Sequence, residues 1–491
     1  MIGDLHRSRI NATVRGFSGI AAPADRFTDQ RVLLTGAPKV LASRNGAEMM
    51  RSAMLLLMRM TTDLTVAIPA GFDELAEGLA QVARDQAWGR APAFAAMPVA
   101  EEGYAAILSA GGNASAALPL TVITSNGWLA RVSSGSIGVS QLCHQWNPVG
   151  ALAAASLGAG EVFKRLLRLK PEHGQLLDGI SFSLWDYGLS NDPGPHLPTE
   201  METDLLVAGA GAIGNGVVHL LSQLPLKGRR RVLDVQTYGD ENWGTCLRLT
   251  PTASAASEAK ASYLATIWGP GVEPVVGRIE DAEADAKWRA PKVVLSGFDN
   301  VDARYAVQDL WPDLVIDGAI GPRLECQVSA HPWSGEIACL RCIFELEHGE
   351  PAENVQRRLT GLSVAALRQA SRALSRQDVA DAEPEKRNWL IGQIGKPICS
   401  VFEAARQFAG GDVAAGFRPS VPFVATMSAS MMVTELVRYL MTGNVGVEPR
   451  FFFSVLWGPQ QGAHYPEDRH DDCQCSTRAH LIERVRAGRW Y

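Results

Sequence analysis

The chain has 491 residues, 46% of them hydrophobic and 20% charged, with a formal net charge of −6. That length asks for two or more domains, the composition is that of an ordinary globular protein, and the mildly acidic balance speaks against a nucleic-acid binder. The opening residues, MIGDLHRSRINATVRG, lack the apolar centre of a secretory signal. The most apolar helical run, AMLLLM at 53–58, is far short of the ~20 residues that span a bilayer. A cytoplasmic protein with no membrane partner is expected. Its eight cysteines should then be reduced, so clustered ones read as metal ligands or catalysts.

In chain order, RVLLTGAP (31–38) reads as a strand running into a glycine turn, AAILSAGGN (105–113) and LTVITSNG (120–127) as strands, and SLGAGEVFKRLL (156–167) as a helix. The segment YGLSNDPGPHLPTE (187–200), rich in Pro, Gly and Asn, is the best boundary. Beyond it the series returns in the same order: DLLVAGAG (204–211), KVVLSGFDN (292–300), DLVIDGAI (313–320) and SMMVTELVRYLM (430–441). Roughly 80 extra residues fall between about 320 and 420 in the second series. The pattern predicts an α/β protein of two Rossmann-type, doubly wound domains, residues 1–190 and 191–491, the second carrying an insertion over about 343–420. Two unrelated Rossmann-like domains are the alternative. The first copy has Pro38, which has no N–H to offer a phosphate, and Gly112 where the second has Asp299. It is therefore expected to be an inactive partner that packs on the second.

DLLVAGAGAIGNGVVHLL (204–221) is an apolar run, a G-x-G-x-x-G turn at Gly209, Gly211 and Gly214, and a helix-like segment. Such glycines let backbone N–H groups approach a pyrophosphate at the positive end of a helix. Asp234 ends the next apolar run, 20 residues after Gly214, where a carboxylate commonly holds a ribose hydroxyl of NAD or ATP. Taken alone, the turn favours an NAD enzyme. Further on, Cys339-Leu-Arg-Cys342 and Cys473-Gln-Cys475 supply four thiolates in two close pairs, which suits a structural, tetrahedral Zn2+ pinning the C-terminal region to the core. His470 is close enough in sequence to compete as a ligand.

The glycine turn, Asp234, Asn242, Lys260, the Asp299-Asn300-x-x-x-Arg304 segment and the paired cysteines together resemble the ThiF/MoeB and ubiquitin-activating enzymes over about residues 200–491. The resemblance implies ATP with Mg2+ rather than NAD, and adenylation of the C-terminal glycine of a ubiquitin-fold protein. Asp234 would hold the ATP ribose, Lys260 would reach the phosphates, and Asp299 would hold magnesium or orient the phosphates. Asn242 matches the spacing of the family's S-N-L-x-R segment. This chain departs there, reading ENWGTCLRL with Thr245 at the family's Arg position. Arg248, or Arg26 from the first half, is a candidate replacement.

Within the inserted region, Pro397 precedes the helical pattern CSVFEAARQFA, which puts Cys399 in or near a first turn, where free N–H groups stabilise a thiolate. The surroundings resemble the P-x-C-[ST] of ubiquitin-activating enzymes, and imply that Cys399 attacks the acyl adenylate to form a thioester. Cys246 is the other cysteine near the nucleotide; Cys143 and Cys326 have no comparable context. The stretch NVQRRLTGLSVAALRQASRALSRQDVADAEPEKRN reads as helical and charged on one face, a docking surface for a protein substrate or a solvated face. The resulting expectation is a bacterial, BilD-like ubiquitin-activating enzyme of a conjugation operon, acting with a ubiquitin-like protein and a ubiquitin-conjugating-type enzyme, with antiviral defence as the role that analogy implies. The alternatives are a ThiF/MoeB-like adenylyltransferase for a sulfur-carrier protein, an NAD-dependent oxidoreductase, and a non-enzymatic scaffold.

Overall fold

Runs of Val, Leu, Ile and Ala with no alternation form strands buried on both faces, and such strands build parallel sheets. The computed structural model describes residues 10–11, 13–14, 27–284, 290–321, 323–333, 337–344, 356–358, 360–369, 372–395, 398, 401, 420–447 and 449–489. Among these, strands β1 (Arg31–Gly36), β2 (Asp63–Ile68), β3 (Ala93–Ala96), β4 (Ala106–Ala110), β5 (Leu120–Asn126), β6 (Leu129–Ser133) and β7 (Ile180–Ser183) form one sheet in the order β3-β2-β1-β4-β5-β6-β7. After a short pairing of β8 (Met201–Glu202) with β10 (Leu226–Lys227), a second sheet takes β9 (Leu205–Ala208), β11 (Arg230–Asp234), β12 (Val272–Val276), β13 (Val293–Ser296), β14 (Leu314–Ile320), β15 (Glu325–Pro332), β16 (Arg450–Ser454) and β17 (Ala463–Tyr465). Its order is β12-β11-β9-β13-β14-β15-β16-β17, the same winding with one strand added.

The sheets differ from a purely doubly wound expectation. Five strands of each are parallel, but β5, β6 and β7 pair antiparallel, as do β14 to β17. The cause is local. β5 and β6 are joined by the tight turn at Gly127, φ 59°, and β14 and β15 by a link only four residues long, too short for the crossover that parallel pairing needs.

In each sheet the long helix follows the first antiparallel return: α3 (Pro148–Leu167) after β6 and α7 (Pro422–Thr442) after β15. Asn147 caps α3, accepting from the Val149 N–H, and Pro148 stands at the first helical position. α7 begins at Pro422 and stops at Gly443, φ 74°, in the left-handed conformation that helix ends favour. Every residue of α3 except Arg165 is buried. A helix apolar all round must have neighbours on every side. α3 packs on α1 (Arg44–Leu57) and α7, and α7 packs also on α4 (Ala212–Leu221). Ser156 and Thr426 hydroxyls lie 2.7 Å apart, and the Phe163 and Phe423 rings 5.3 Å. The two helices carry matching buried acids. Glu161 accepts from Ser134 and the Leu177 N–H and pairs with Lys164; Glu435 accepts from Tyr187 and the Gly446 N–H. Burial pushes the Glu435 carboxyl up.

Residues 1–234, 238–343 and 418–491 form one compact unit; 235–237 and 344–417 form a second. The second has its own small core of Leu362, Leu367, Leu374, Val379, Leu390 and Val401. The stretch expected to be helical carries a set of short helices among the described residues. Ser363 and Ser375 side chains accept from the Ala366 and Asp378 N–H groups and start new helices at Val364–Leu367 and Arg376–Asp381, and Pro384 opens another at Pro384–Ile391. No helix among the described residues is long and apolar enough to cross a membrane.

Candidate nucleotide site and thiol cluster

β9 delivers the glycine turn at the carboxyl edge of the second sheet, next to β13, where ligands of open α/β sheets bind. The three glycines do different work. Gly209 has φ 96°, and a Cβ there would lie 3.2 Å from the Gly297 carbonyl and 3.3 Å from Phe298. Gly211 caps α4 with no side-chain hydrogen bond, and a Cβ on it would meet nothing within 4 Å. Gly214 brings the helix onto the strand; its Cβ would sit 2.1 Å from the Gly209 oxygen. The middle position thus leaves open space beside a helix start, where unpaired N–H groups favour an anion.

A buried polar cluster holds the turn. Asp234, at the end of β11, accepts from the Ala210 N–H at 2.8 Å. Tyr238 donates to the Ala210 carbonyl at 2.8 Å and accepts from Asn215 Nδ2 at 2.9 Å. Asn215 also donates to the carbonyls of Ala210 and Gly211. Burial raises the Tyr238 phenol well above its ordinary value, so it stays a donor. Lys260, the first residue of α5 (Lys260–Trp268), is buried with its Nζ 5.6 Å from the Tyr238 ring centroid. Gly209, Gly211, Gly214, Asp234 and Lys260 are therefore gathered around Tyr238 and Ala210.

Asn242 lies in the short helix Asp240–Trp243, where its Oδ1 accepts from the Gly239 N–H at 3.0 Å. Thr245 donates to the Asn242 carbonyl, and Arg248 turns its Nη1 toward His219 Nδ1, 3.3 Å away. Asp299 is exposed just beyond β13, one residue past the Phe298 ring that neighbours Gly209. Asn300 caps α6 (Val301–Asp309), and Arg304 pairs with buried Asp317 at 3.0 Å. Burial raises the Asp317 carboxyl against the opposing pull of Arg304 and of Ser296, which donates to it at 2.7 Å. Cys399, Arg26, Lys396, Pro397 and Arg406 lie outside the described residues. Cys246 is buried, its carbonyl taken by Arg59.

Tyr238, Asn215, Asp317 and Arg59 were not singled out by the sequence. Asn215 directly follows the glycine motif and Tyr238 lies four residues past Asp234, so proximity was a usable signal for both. Arg59 had none, because its partners in the second half lie more than 180 positions away. In the first half, β1 runs through Ala37 into the short helix Pro38–Leu41, with proline at the first helical position. There the Gln141 side chain accepts from the Gly112 N–H at 2.8 Å and donates to its carbonyl at 3.1 Å. The groups at that strand end are thus occupied by the chain itself.

The four expected thiols converge. Cys339, Cys342, Cys473 and Cys475 place their sulfurs within 4.8 Å of one another, with pairs at 3.7, 3.7 and 3.5 Å. A tetrahedral ion with ~2.3 Å zinc–sulfur bonds needs sulfurs ~3.8 Å apart, so the donor set and its size both fit zinc. The His470 backbone N–H points at Cys342 Sγ, 3.5 Å away. Hydrogen bonds from Cys339 and Cys475 favour the thiolate of Cys342. Four thiolates this close repel one another, which a cation held between them would relieve.

No protein-family model matches the chain. A curated relative, the uncharacterized protein y4jF of Sinorhizobium fredii, is 28% identical over 347 residues, and the match covers 65% of this chain and 64% of that protein's length. Among solved structures, E. coli MccB with ATP is similar at 11% identity over 73% of this chain and 97% of that one, with a TM-score of 0.37. E. coli MccB with AMPCPP and MccA aligns at 10% identity over 56% and 66% of the two chains, TM-score 0.35. PaaA aligns at 13% identity over 55% and 73%, TM-score 0.31. With scores this low, none of these similarities assigns an activity to the chain.

Proposed function

We propose that this chain is an ATP-dependent adenylyltransferase of the ThiF/MoeB kind, activating a carboxylate on a peptide or small carrier protein. The observation that carries the reading is the glycine turn, open at Gly211 and closed at Gly209 and Gly214, with Asp234 bonded to it and the buried Lys260 ammonium across the Tyr238 ring. An ammonium beside a phosphate-binding turn suits a triphosphate. In the proposed reaction a carboxylate oxygen of the substrate attacks the ATP α-phosphorus. The bond from that phosphorus to the bridging oxygen breaks, pyrophosphate leaves, and an acyl adenylate remains. Asp234 would receive the ribose, the turn and Lys260 the phosphates, and Asp299 would hold a magnesium ion. That ion would neutralise charge on the phosphates. The four cysteines would hold one zinc ion in a structural role, since a site filled by four protein ligands leaves no place for substrate.

In this reading residues 191–491 carry the active domain and 1–190 a ThiF-like domain without a site. Adenylation alone is what an enzyme that serves a sulfur-carrier protein requires. The ubiquitin-type extension adds a second step, in which Cys399 takes the acyl group as a thioester and passes it to a conjugating-type enzyme. Purified protein should bind ATP with magnesium and exchange labelled pyrophosphate into ATP when given a small ubiquitin-fold carrier that ends in glycine. Asp299→Ala should abolish the exchange. Tight NADH binding with no ATP binding would overturn the proposal. A reductant-sensitive adduct with the carrier, lost in Cys399→Ala while exchange persists, would select the ubiquitin-type extension; strong exchange with no adduct would select the sulfur-carrier form.

A further inference from the structure

Arg59, just past the end of α1 in the first half, is wholly buried, yet its hydrogen bonds end on neutral oxygens. Nε donates to the Trp243 carbonyl at 3.1 Å; Nη2 donates to those of Cys246 at 3.0 Å and Leu247 at 2.8 Å; Nη1 returns to Leu55 at 2.7 Å. The guanidinium also lies 5.1 Å from the Trp243 ring centroid, and the Trp243 indole donates to the Gln86 carbonyl. One first-half side chain thus gathers three carbonyls of segment 243–247 in the second half. Burial lowers its pKa to about 10, still cationic at neutral pH.

The gathered segment leads to the nucleotide turn in two steps. The Arg248 N–H, next after Leu247, donates to Asn215 Oδ1 at 3.2 Å. Asn215 Nδ2 donates to the carbonyls of Ala210 and Gly211 and to the Tyr238 hydroxyl. A second tie from α1 runs parallel: Glu48 meets His219 of α4 at 2.7 Å, and His219 meets Arg248. Only a planar fork can serve several carbonyls in fixed directions; an ammonium on the same backbone would reach fewer.

We infer that Arg59 is a positioning residue through which the first half sets the glycine turn of the second, by fixing segment 243–248 and hence Asn215. The inference rests on the nucleotide reading proposed above. It gives the first half a task in ATP binding that needs no site of its own.

The test uses the full chain and ATP with magnesium as the probe, so no carrier is required. Wild type should bind one ATP, and ATP should slow amide exchange at both 209–215 and 243–248. Arg59→Lys should fold, raise the Kd for ATP about tenfold or more, and speed exchange at 209–215 while leaving β1 and β4 as in wild type. Asn215→Leu should weaken ATP similarly, and the double variant should be no weaker than the worse single one, because both break one chain of bonds. Wild type that binds no ATP overturns the nucleotide reading and this inference with it. Wild type that binds ATP, with Arg59→Lys matching it in Kd and in exchange at 209–215, overturns this inference alone. Should Arg59→Lys fail to fold, wild-type exchange decides: ATP protection at 209–215 with none at 243–248 refutes the coupling.

Discussion

Tyr238 shows how much one hydroxyl carries at this site: it accepts from Asn215 and donates to Ala210 in a buried setting. Tyr238→Phe removes one partner each from Asn215 Nδ2 and the Ala210 carbonyl, which keep their bond to each other, and should cost about 1 kcal/mol in urea unfolding while weakening ATP binding. His331 makes a pH prediction. It donates from Nδ1 to the Ala338 carbonyl at 2.6 Å and meets Ser329 at Nε2, and burial lowers its pKa from 6.5 to about 4. The unfolded chain therefore binds the extra proton first. Stability from this group is whole above pH 6.5 and drains away as pH falls toward about 4, by at most ~3 kcal/mol. Asp317, whose carboxyl is raised, works in the opposite sense as pH rises above 3.8. The slope between pH 6.5 and 4 should accordingly flatten in His331→Gln, and an unchanged slope would count against the assignment.

At the scale of elements, the glycine turn divides its labour by position. Gly214→Ala should destabilise the fold, because its Cβ collides with the Gly209 carbonyl at 2.1 Å. Gly211→Ala should leave the melting temperature within a few degrees, since its surroundings are open and its φ of −76° suits any residue, yet weaken ATP on the order of tenfold by crowding the phosphates. Equal effects from the two would contradict the division. Cys342→Ser, or a strong chelator, should remove one zinc per chain and expose the C-terminal helix α8 (Ala479–Arg489) to limited proteolysis. Both elements were legible in the sequence because their information is local: glycine spacing in one, paired cysteines in the other. The strands at 31–36, 106–110, 120–126, 205–208 and 293–296 were legible for the same reason, as unbroken apolar runs. The antiparallel ends of both sheets were not, since a run buried on both faces says nothing of its neighbour's direction. Nor were the Arg59 and Gln141 side chains, whose meaning depends on partners far off in the chain.

At the scale of the molecule the first half should bind no nucleotide, because Pro38 lacks an N–H and Gln141 occupies Gly112. Titration with ATP should give one site per chain; two would refute this. Neither long helix should tolerate separation. A fragment ending near residue 200 would expose the α7-facing side of α3, an apolar surface with the Ser156 hydroxyl in it, and should be insoluble unless the rest of the chain is co-expressed. The Gln141 latch has one further consequence, of inheritance rather than energy. In an assembly of two identical subunits, any substitution that closes one site closes both. Here the two sheets are written separately in a single reading frame, so one strand end could be stoppered by glutamine while its counterpart at Asp299 stayed exposed. The joined chain makes asymmetry heritable, and leaves the stoppered half free to change toward support.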